Sequence, residues 1–283
     1  KETSFSAPIP KRSKLQNGLQ ILGIERSKLP LVAFGLYMPF GSVADSKALP
    51  GLLNYVVSML QEGTSKHTSK EIAELLEHKG ASIAAHVREN GTIIWAECLK
   101  SSLNEVYKLF SEIILDPIFP AEDMERIRRQ KLTDLSRIPD DANAIAARAS
   151  KALLYGLESP LGHPAYGTED SVAKITRNDL ISCHKTLFGP EESILLVAGD
   201  FNMDHMLAMS EDLFGNWKPQ SVKHENNNSH LINDHIKGKI HLINKLEAPQ
   251  SVIMVGQTLV KRSDPDYLPL TIFNQVLGGE FSS

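Results

Sequence analysis

The chain has 283 residues, more than a single hydrophobic core usually organises, so the length predicts one large domain and part of a second. Its 42% hydrophobic and 23% charged residues exclude an intrinsically disordered chain. A formal net charge of -4 gives no electrostatic reason to expect nucleic acid or an anionic membrane surface as a partner. No run is long and apolar enough to predict a membrane span.

The cellular compartment is left open by the sequence. Cys98 and Cys183 allow at most one disulfide, and the apolar run around Cys98 favours a buried thiol. Residues 1–5 do not form a signal segment, but a signal peptide that had been removed would leave no trace. Periplasmic, secreted and organellar locations therefore all remain possible readings.

Helical periodicity is clear after residue 45. Apolar residues recur at helical spacing over 49–60, and Gly63 provides a stop. Three capping boxes are predicted at the starts of later helices, and another helix is expected over 121–137. The three boxes are Thr68 with Glu71, Ser102 with Glu105, and Thr176 with Asp179.

Strand-like runs are separated by these helices. They cover residues 19–24, 31–38, 82–87, 92–99 and 194–198. Two strands, two helices, two strands and then several helices are typical of an α+β protein with a mixed, mostly antiparallel sheet covered by helices. A strict β-α alternation, and with it a Rossmann fold, is disfavoured.

The chain is predicted to restart after a linker. Residues 1–217 are expected to form a first domain, 218–237 a polar linker, and 238–283 the beginning of a second, homologous domain. Beyond the linker, 251–255 is strand-like, and the pattern after Leu268-Pro269 echoes the one after Leu49-Pro50. The remaining residues are too few to complete a second domain, so we expect a truncated or incompletely represented C-terminal half.

These landmarks resemble the insulinase, pitrilysin and mitochondrial processing peptidase family. Segment 49–64 reads LPGLLNYVVSMLQEGT and resembles the family's signature helix. Further landmarks follow in the family's order: Tyr155-Gly156, His163-Pro164, Gly167-Thr168-Glu169, residues 175–180, residues 196–200, Asn274, and Leu277-Gly278-Gly279 with Ser282-Ser283. The resemblance implies the LuxS/processing-peptidase-like metallohydrolase fold.

The catalytic residues of this family are missing from the signature helix. Active members carry His-x-x-Glu-His, in which two imidazoles grip zinc and the glutamate activates its water. The matching positions here are Asn54, Val57 and Ser58. The family's distal glutamate corresponds to Asp134, which is 134 - 58 = 76 residues after Ser58. The resemblance therefore implies no catalytic residues and no expected zinc site or other cofactor.

Other metal and catalytic patterns have simpler interpretations. Asn54 and Ser58 are read as solvated polar positions, and Asp134 as a carboxylate that is either at the surface or accepts hydrogen bonds from N–H groups. A pattern similar to a set of metal ligands is formed by Glu74, Glu77 and His78, but it lies on a helix that is predicted to have a structural role. His224, His230, His235 and His241 cluster around the linker and are expected to be solvated. Ser159, Ser182 and His184 lack the context of a serine hydrolase.

The function implied by the resemblance is that of a noncatalytic partner subunit. Such a subunit would pair with an active, zinc-binding homologue and help to bind the peptide substrate, and it would hydrolyse nothing alone. Two alternatives stay open: an active zinc endopeptidase with unorthodox ligands at Asn54, Ser58 and Asp134, and a structural assembly subunit without affinity for peptides.

Overall fold

A computed structural model describes residues 7–157, 159–218, 238–246 and 248–279. In this described part of the chain, six strands form one sheet in the order β1-β2-β6-β3-β5-β4, and of its neighbouring strands only β2 and β6 run parallel. The strands are β1 (Lys11–Lys14), β2 (Gln20–Glu25), β3 (Leu31–Met38), β4 (Ser82–Val87), β5 (Thr92–Leu99) and β6 (Ile194–Gly199). This arrangement confirms the predicted α+β class and the mostly antiparallel sheet.

One face of the sheet is buried and the other is open. On β3, Phe34 and Leu36 are buried, and they align across the ladder with Ala96 and Ile94 of β5. On the opposite face, the large side chains Leu31, Trp95, Leu99 and Leu196 are exposed. Because side chains alternate along a strand, this is the pattern of an antiparallel sheet with helices on one face.

Nine α-helices occur in the described residues. They are α1 (Leu52–Met59), α2 (Ser69–His78), α3 (Leu103–Leu115), α4 (Ala121–Ser136), α5 (Ala142–Tyr155), α6 (Glu169–Lys174), α7 (Arg177–Leu187), α8 (Met203–Phe214) and α9 (Tyr267–Asn274). The capping boxes of α2 at Thr68 and of α7 at Thr176 are present as predicted. A left-handed Gly80 follows α2 as predicted, with φ of +57°.

The predicted capping box of α3 is wrong. The chain enters α3 through a 3₁₀ turn over Lys100–Ser102, so Ser102 already has helical backbone angles and caps nothing. Its hydroxyl instead points to the carbonyl of Lys79, and Glu105 forms an ion pair with the Lys79 amine at 2.6 Å. Both predicted capping residues therefore contact the end of α2.

Aromatic packing joins the sheet to the helices. The ring of Phe34 meets Tyr107 and Phe110 of α3 edge-on, with centroids 5.2 and 5.1 Å apart. The buried Tyr107 hydroxyl lies 2.8 Å from that of Ser210 on α8, so its polar end is satisfied. Cys98 and Cys183 are buried free thiols, which confirms the expectation for Cys98.

The second-domain prediction falls largely outside the described residues. Of the predicted linker, residues 219–237 lie outside them, and the domain boundaries stay predictions. Residues 251–255 are not assigned to a strand, because a strand is defined by pairing and none pairs with them in the described part. The helical echo after Leu268 is present as α9. No described helix is long and apolar enough to cross a membrane.

Candidate functional site

Helix α1, which carries the signature positions, is fixed at its start by Gly51 and Asp45. Gly51 has φ of +89°, and a Cβ there would lie 2.7 Å from the Gly167 backbone, so a larger residue is excluded twice. The Asp45 carboxylate accepts hydrogen bonds from the Gly51 and Leu53 amides, both at 2.8 Å. Burial raises the pKa of Asp45 to about 6 and outweighs these two donors.

The inner face of α1 is fully packed. Leu53, Tyr55, Val56 and Met59 have no exposed surface. The Tyr55 hydroxyl donates to the Met124 carbonyl of α4 at 2.6 Å, and burial raises the pKa of Tyr55 to about 12. Packing and this hydrogen bond together hold α1 against α4, the helix that bears Asp134.

The three motif positions occupy different environments. Val57 is buried with 7% of its surface exposed, and its side chain contains no donor or acceptor. Ser58 is exposed, and its hydroxyl donates to the backbone carbonyl of Asn54 at 2.8 Å. Asn54 is half-buried, so it is not the solvated position that the sequence indicated.

A lysine from α4 contacts Asn54. The Lys131 amine donates to the Asn54 side-chain oxygen at 2.5 Å and lies 5.6 Å from the centre of the Tyr55 ring. Burial lowers the pKa of Lys131 to about 8, although the nearby Asp134 charge acts in the opposite direction. An ammonium group therefore faces the first motif position.

Sequence reasoning missed Lys131. One signal was available, since Lys131 precedes Asp134 by three residues and residues at this spacing share a helix face. Asp134 itself is exposed near the end of α4, as the surface reading predicted. The structure thus brings Asn54 and Lys131 into contact and places Asp134 next to Lys131 along one helix.

The other candidate patterns do not assemble into sites. Within the described residues, no group of three or more His, Cys, Asp or Glu side chains is placed to hold a metal ion. Glu74 instead forms an ion pair with Lys70 on α2. His184 packs on Phe188, with its Nε2 2.8 Å from the Ile114 carbonyl, and burial lowers its pKa. Of the linker histidines, His224, His230 and His235 lie outside the described residues, and His241 is exposed.

Comparison with known families identifies the class. The family model described as "Insulinase (Peptidase family M16)" matches residues 21–165, and the model described as "Peptidase M16 inactive domain" matches residues 174–283. The chain belongs to peptidase family M16, which confirms the resemblance found in the sequence.

The curated relatives of the chain share about a quarter of its residues. An uncharacterized zinc protease of Mycobacterium leprae is 25% identical over 96% of this chain and 61% of its own length. One from Bacillus subtilis is 23% identical over 96% of this chain and 65% of its own. Across the curated relatives it matches, the chain spans roughly half to two thirds of their length.

Solved structures support the same fold. A structure from Pseudomonas fluorescens, described as a peptidase M16 inactive domain, aligns with a TM-score of 0.77 at 20% identity, covering 96% of this chain and 65% of that one. A protease from Helicobacter pylori aligns with a TM-score of 0.69 at 18% identity, covering 77% and 52%. At these identities the likeness is one of fold.

Proposed function

We propose that the full-length protein is a noncatalytic M16 homologue that pairs with an active, zinc-binding homologue and helps to bind its peptide substrate. The observation that carries the proposal is the contact between Lys131 and Asn54. A lysine ammonium lies against the position where an active member of the family has its first zinc-binding imidazole.

The donor set supports the absence of zinc. Neither an imidazole nor a carboxylate is present at Asn54, Val57 or Ser58, and the Asn54 oxygen already accepts from an ammonium. A second cation at the same oxygen would meet electrostatic repulsion. Asp134 alone offers one carboxylate, so the residues present do not fit a zinc ion.

The same positions argue against peptide hydrolysis. In this class of enzyme the glutamate between the two histidines removes a proton from the attacking water. The corresponding Val57 cannot accept a proton, and it is buried in the packing of α1. We therefore expect the isolated protein to lack both the nucleophile and its activating base.

A role in binding peptides has a structural basis in β4. This strand is at the end of the sheet order and pairs only with β5 in the described part of the chain. An open strand edge can receive an extended peptide through backbone hydrogen bonds. Helix α1, which carries Asn54, packs beside β4, so a peptide added to this strand would bind next to an element in contact with the motif helix.

Coexpression with an intact-motif homologue tests the proposal. We expect a stable heteromer with a lower KM for peptide than the homologue alone, because this subunit can position peptide but cannot polarise its carbonyl group. As a control, a homologue whose motif glutamate is changed to glutamine should leave the heteromer inactive.

Three outcomes would contradict the proposal. Homologues that are fully active alone and form no complex in size-exclusion chromatography would remove the partner role. A heteromer that forms without any change in KM would favour the structural assembly role. Chelator-sensitive hydrolysis by the isolated protein, lost in Asp134→Ala, would favour the active enzyme with unorthodox ligands.

A further inference from the structure

The Lys131 amine is a partly buried cation with an uncharged acceptor. It donates a hydrogen bond to the neutral side-chain oxygen of Asn54 and lies 5.6 Å from the centre of the Tyr55 ring. An ammonium group carries three donors. The nearby Asp134 carboxylate favours the charged amine electrostatically but forms no ion pair with it among the described residues.

The neighbouring cations Arg126 and Arg128 on α4 differ from Lys131, because they form ion pairs with carboxylates. Arg126 forms ion pairs with Glu62 and Asp123, and Arg128 pairs with Glu125 at 3.1 Å. The facing helix α1 carries no charged residue. Lys131 is therefore the half-buried cation of this helix pair whose charge lacks a carboxylate contact in the described part of the chain.

Such an arrangement favours an anionic ligand. Charges that are withdrawn from water are normally paired, because an unpaired partly buried charge is costly. A carboxylate would accept one or two of the remaining ammonium donors in a charge-assisted hydrogen bond. Ser58, one turn after Asn54 on α1, is exposed and places a hydroxyl on the same side of the helix.

We propose that the Lys131 ammonium, held by Asn54 beside Tyr55, binds a carboxylate of the peptide substrate at the position where active relatives hold zinc. The carboxylate belongs either to the C-terminus of the peptide or to an aspartate or glutamate side chain. The inference rests on the proposed peptide-binding function and adds the chemical preference of the site.

Binding of matched peptides to the full-length protein, alone and with its partner homologue made inactive, tests this inference. The probes are pools of ten-residue peptides of randomised sequence without acidic side chains, labelled at the N-terminus and made as C-terminal acids or amides. A third pool carries a C-terminal amide and one internal glutamate. We expect at least one carboxylate-bearing pool to bind about tenfold or more tightly than the neutral amide pool, and that pool identifies the source.

Variants on α4 then assign the preference to Lys131. Lys131→Met keeps the aliphatic stem and should abolish the preference for the carboxylate-bearing pools over the amide pool. Lys131→Arg should retain part of it. Arg129→Met removes an exposed charge from the same helix and should change neither affinity, which separates a local contact from the general charge of α4.

Each remaining outcome contradicts a definite claim. If the wild-type protein binds peptides but does not distinguish acid from amide or glutamate, the carboxylate site is wrong and the peptide-binding function stands. A preference that survives in Lys131→Met places the site elsewhere. If no pool binds, alone or in the heteromer, the proposed function fails and this inference fails with it.

Discussion

The two sides of helix α1 differ: one packs into the protein interior, and the other bears the motif positions. Its inner side is packed without exposed surface at Leu53 and Val56, and its start is fixed by Asp45 and Gly51. The side that bears the motif positions offers an amide, a buried valine and an exposed hydroxyl. The packing that positions a metal site and the donors that bind the metal are thus separable, and this chain has the first without the second.

The largest expected effect concerns the packed side. Leu53→Ala removes a fully buried side chain and should destabilise the fold by about 2–5 kcal/mol, because a cavity is added to the lost burial. The free energy of unfolding from urea denaturation is the measurement. A loss below about 0.5 kcal/mol would show that α1 is not part of the stabilising core.

The cap at the start of α1 should make stability depend on pH. The pKa of Asp45 in the folded protein is about 6, above its usual 3.8. Between these two pH values the folded protein therefore keeps a proton on Asp45 that the unfolded chain releases. This contribution is fully present below about pH 4 and is lost as the pH rises through 6, by on the order of 3 kcal/mol.

Asp45→Asn isolates the contribution, because asparagine accepts hydrogen bonds but does not titrate. The stability of the wild type relative to this variant should fall between pH 4 and pH 7 in denaturation curves measured at each pH. A relative stability that rises over the same range would mean that the amide donors of Gly51 and Leu53 outweigh burial.

Rebuilding the motif tests whether Lys131 opposes metal binding. The variant Asn54→His, Val57→Glu, Ser58→His supplies the missing donors, but an ammonium still faces position 54. Adding Lys131→Val should raise its zinc affinity about 10- to 100-fold, comparable with other changes around metal ligands. Competition with a chromophoric chelator measures the affinity.

Arg129→Val is the matched control for the rebuilt variant. It removes one positive charge from an exposed position of α4 and should leave the zinc affinity unchanged. Equal affinities with and without Lys131 would show that the lysine does not reach the metal position. Asp134 would then be the remaining obstacle, since its carboxylate is one methylene shorter than glutamate.

The smallest effect is expected at the exposed motif position. Ser58→Ala removes a hydroxyl whose bond goes to a carbonyl within the same helix, and alanine is the better helix former. The free energy of unfolding should therefore change by less than about 0.5 kcal/mol, in the stabilising direction. A decrease in the free energy of unfolding above about 1 kcal/mol would show that the Ser58 hydroxyl stabilises the fold.

The sequence predicted the elements whose patterns are strong. Strand-like runs of residues predicted β2 to β6, and capping residues predicted the starts of α2 and α7. Strand β1 was missed because Lys11–Lys14 is short, polar and at the sheet edge. Helices α5 and α8 were not predicted individually, although both have polar caps, Asp141 and Asn202.

The sequence predicted which residues occupy the candidate site, but not the contacts between them. The motif positions and Asp134 follow from spacing along the chain. The contact between Asn54 and Lys131 joins residues 77 positions apart, and it depends on how α1 packs against α4. The periodicity of one segment carries no information on such a pairing between two helices. Ser102 illustrates a second cause of error, because it contacts the end of α2 instead of capping α3 as predicted.

Metal analysis of the full-length protein tests the central claim most directly. After complete chelation and readdition of zinc, the purified protein should retain far less than one zinc ion per chain, because the motif positions lack ligands and a cation faces one of them. One tightly held zinc per chain, lost in Asp134→Ala and unaffected in Asp140→Ala, would contradict this account.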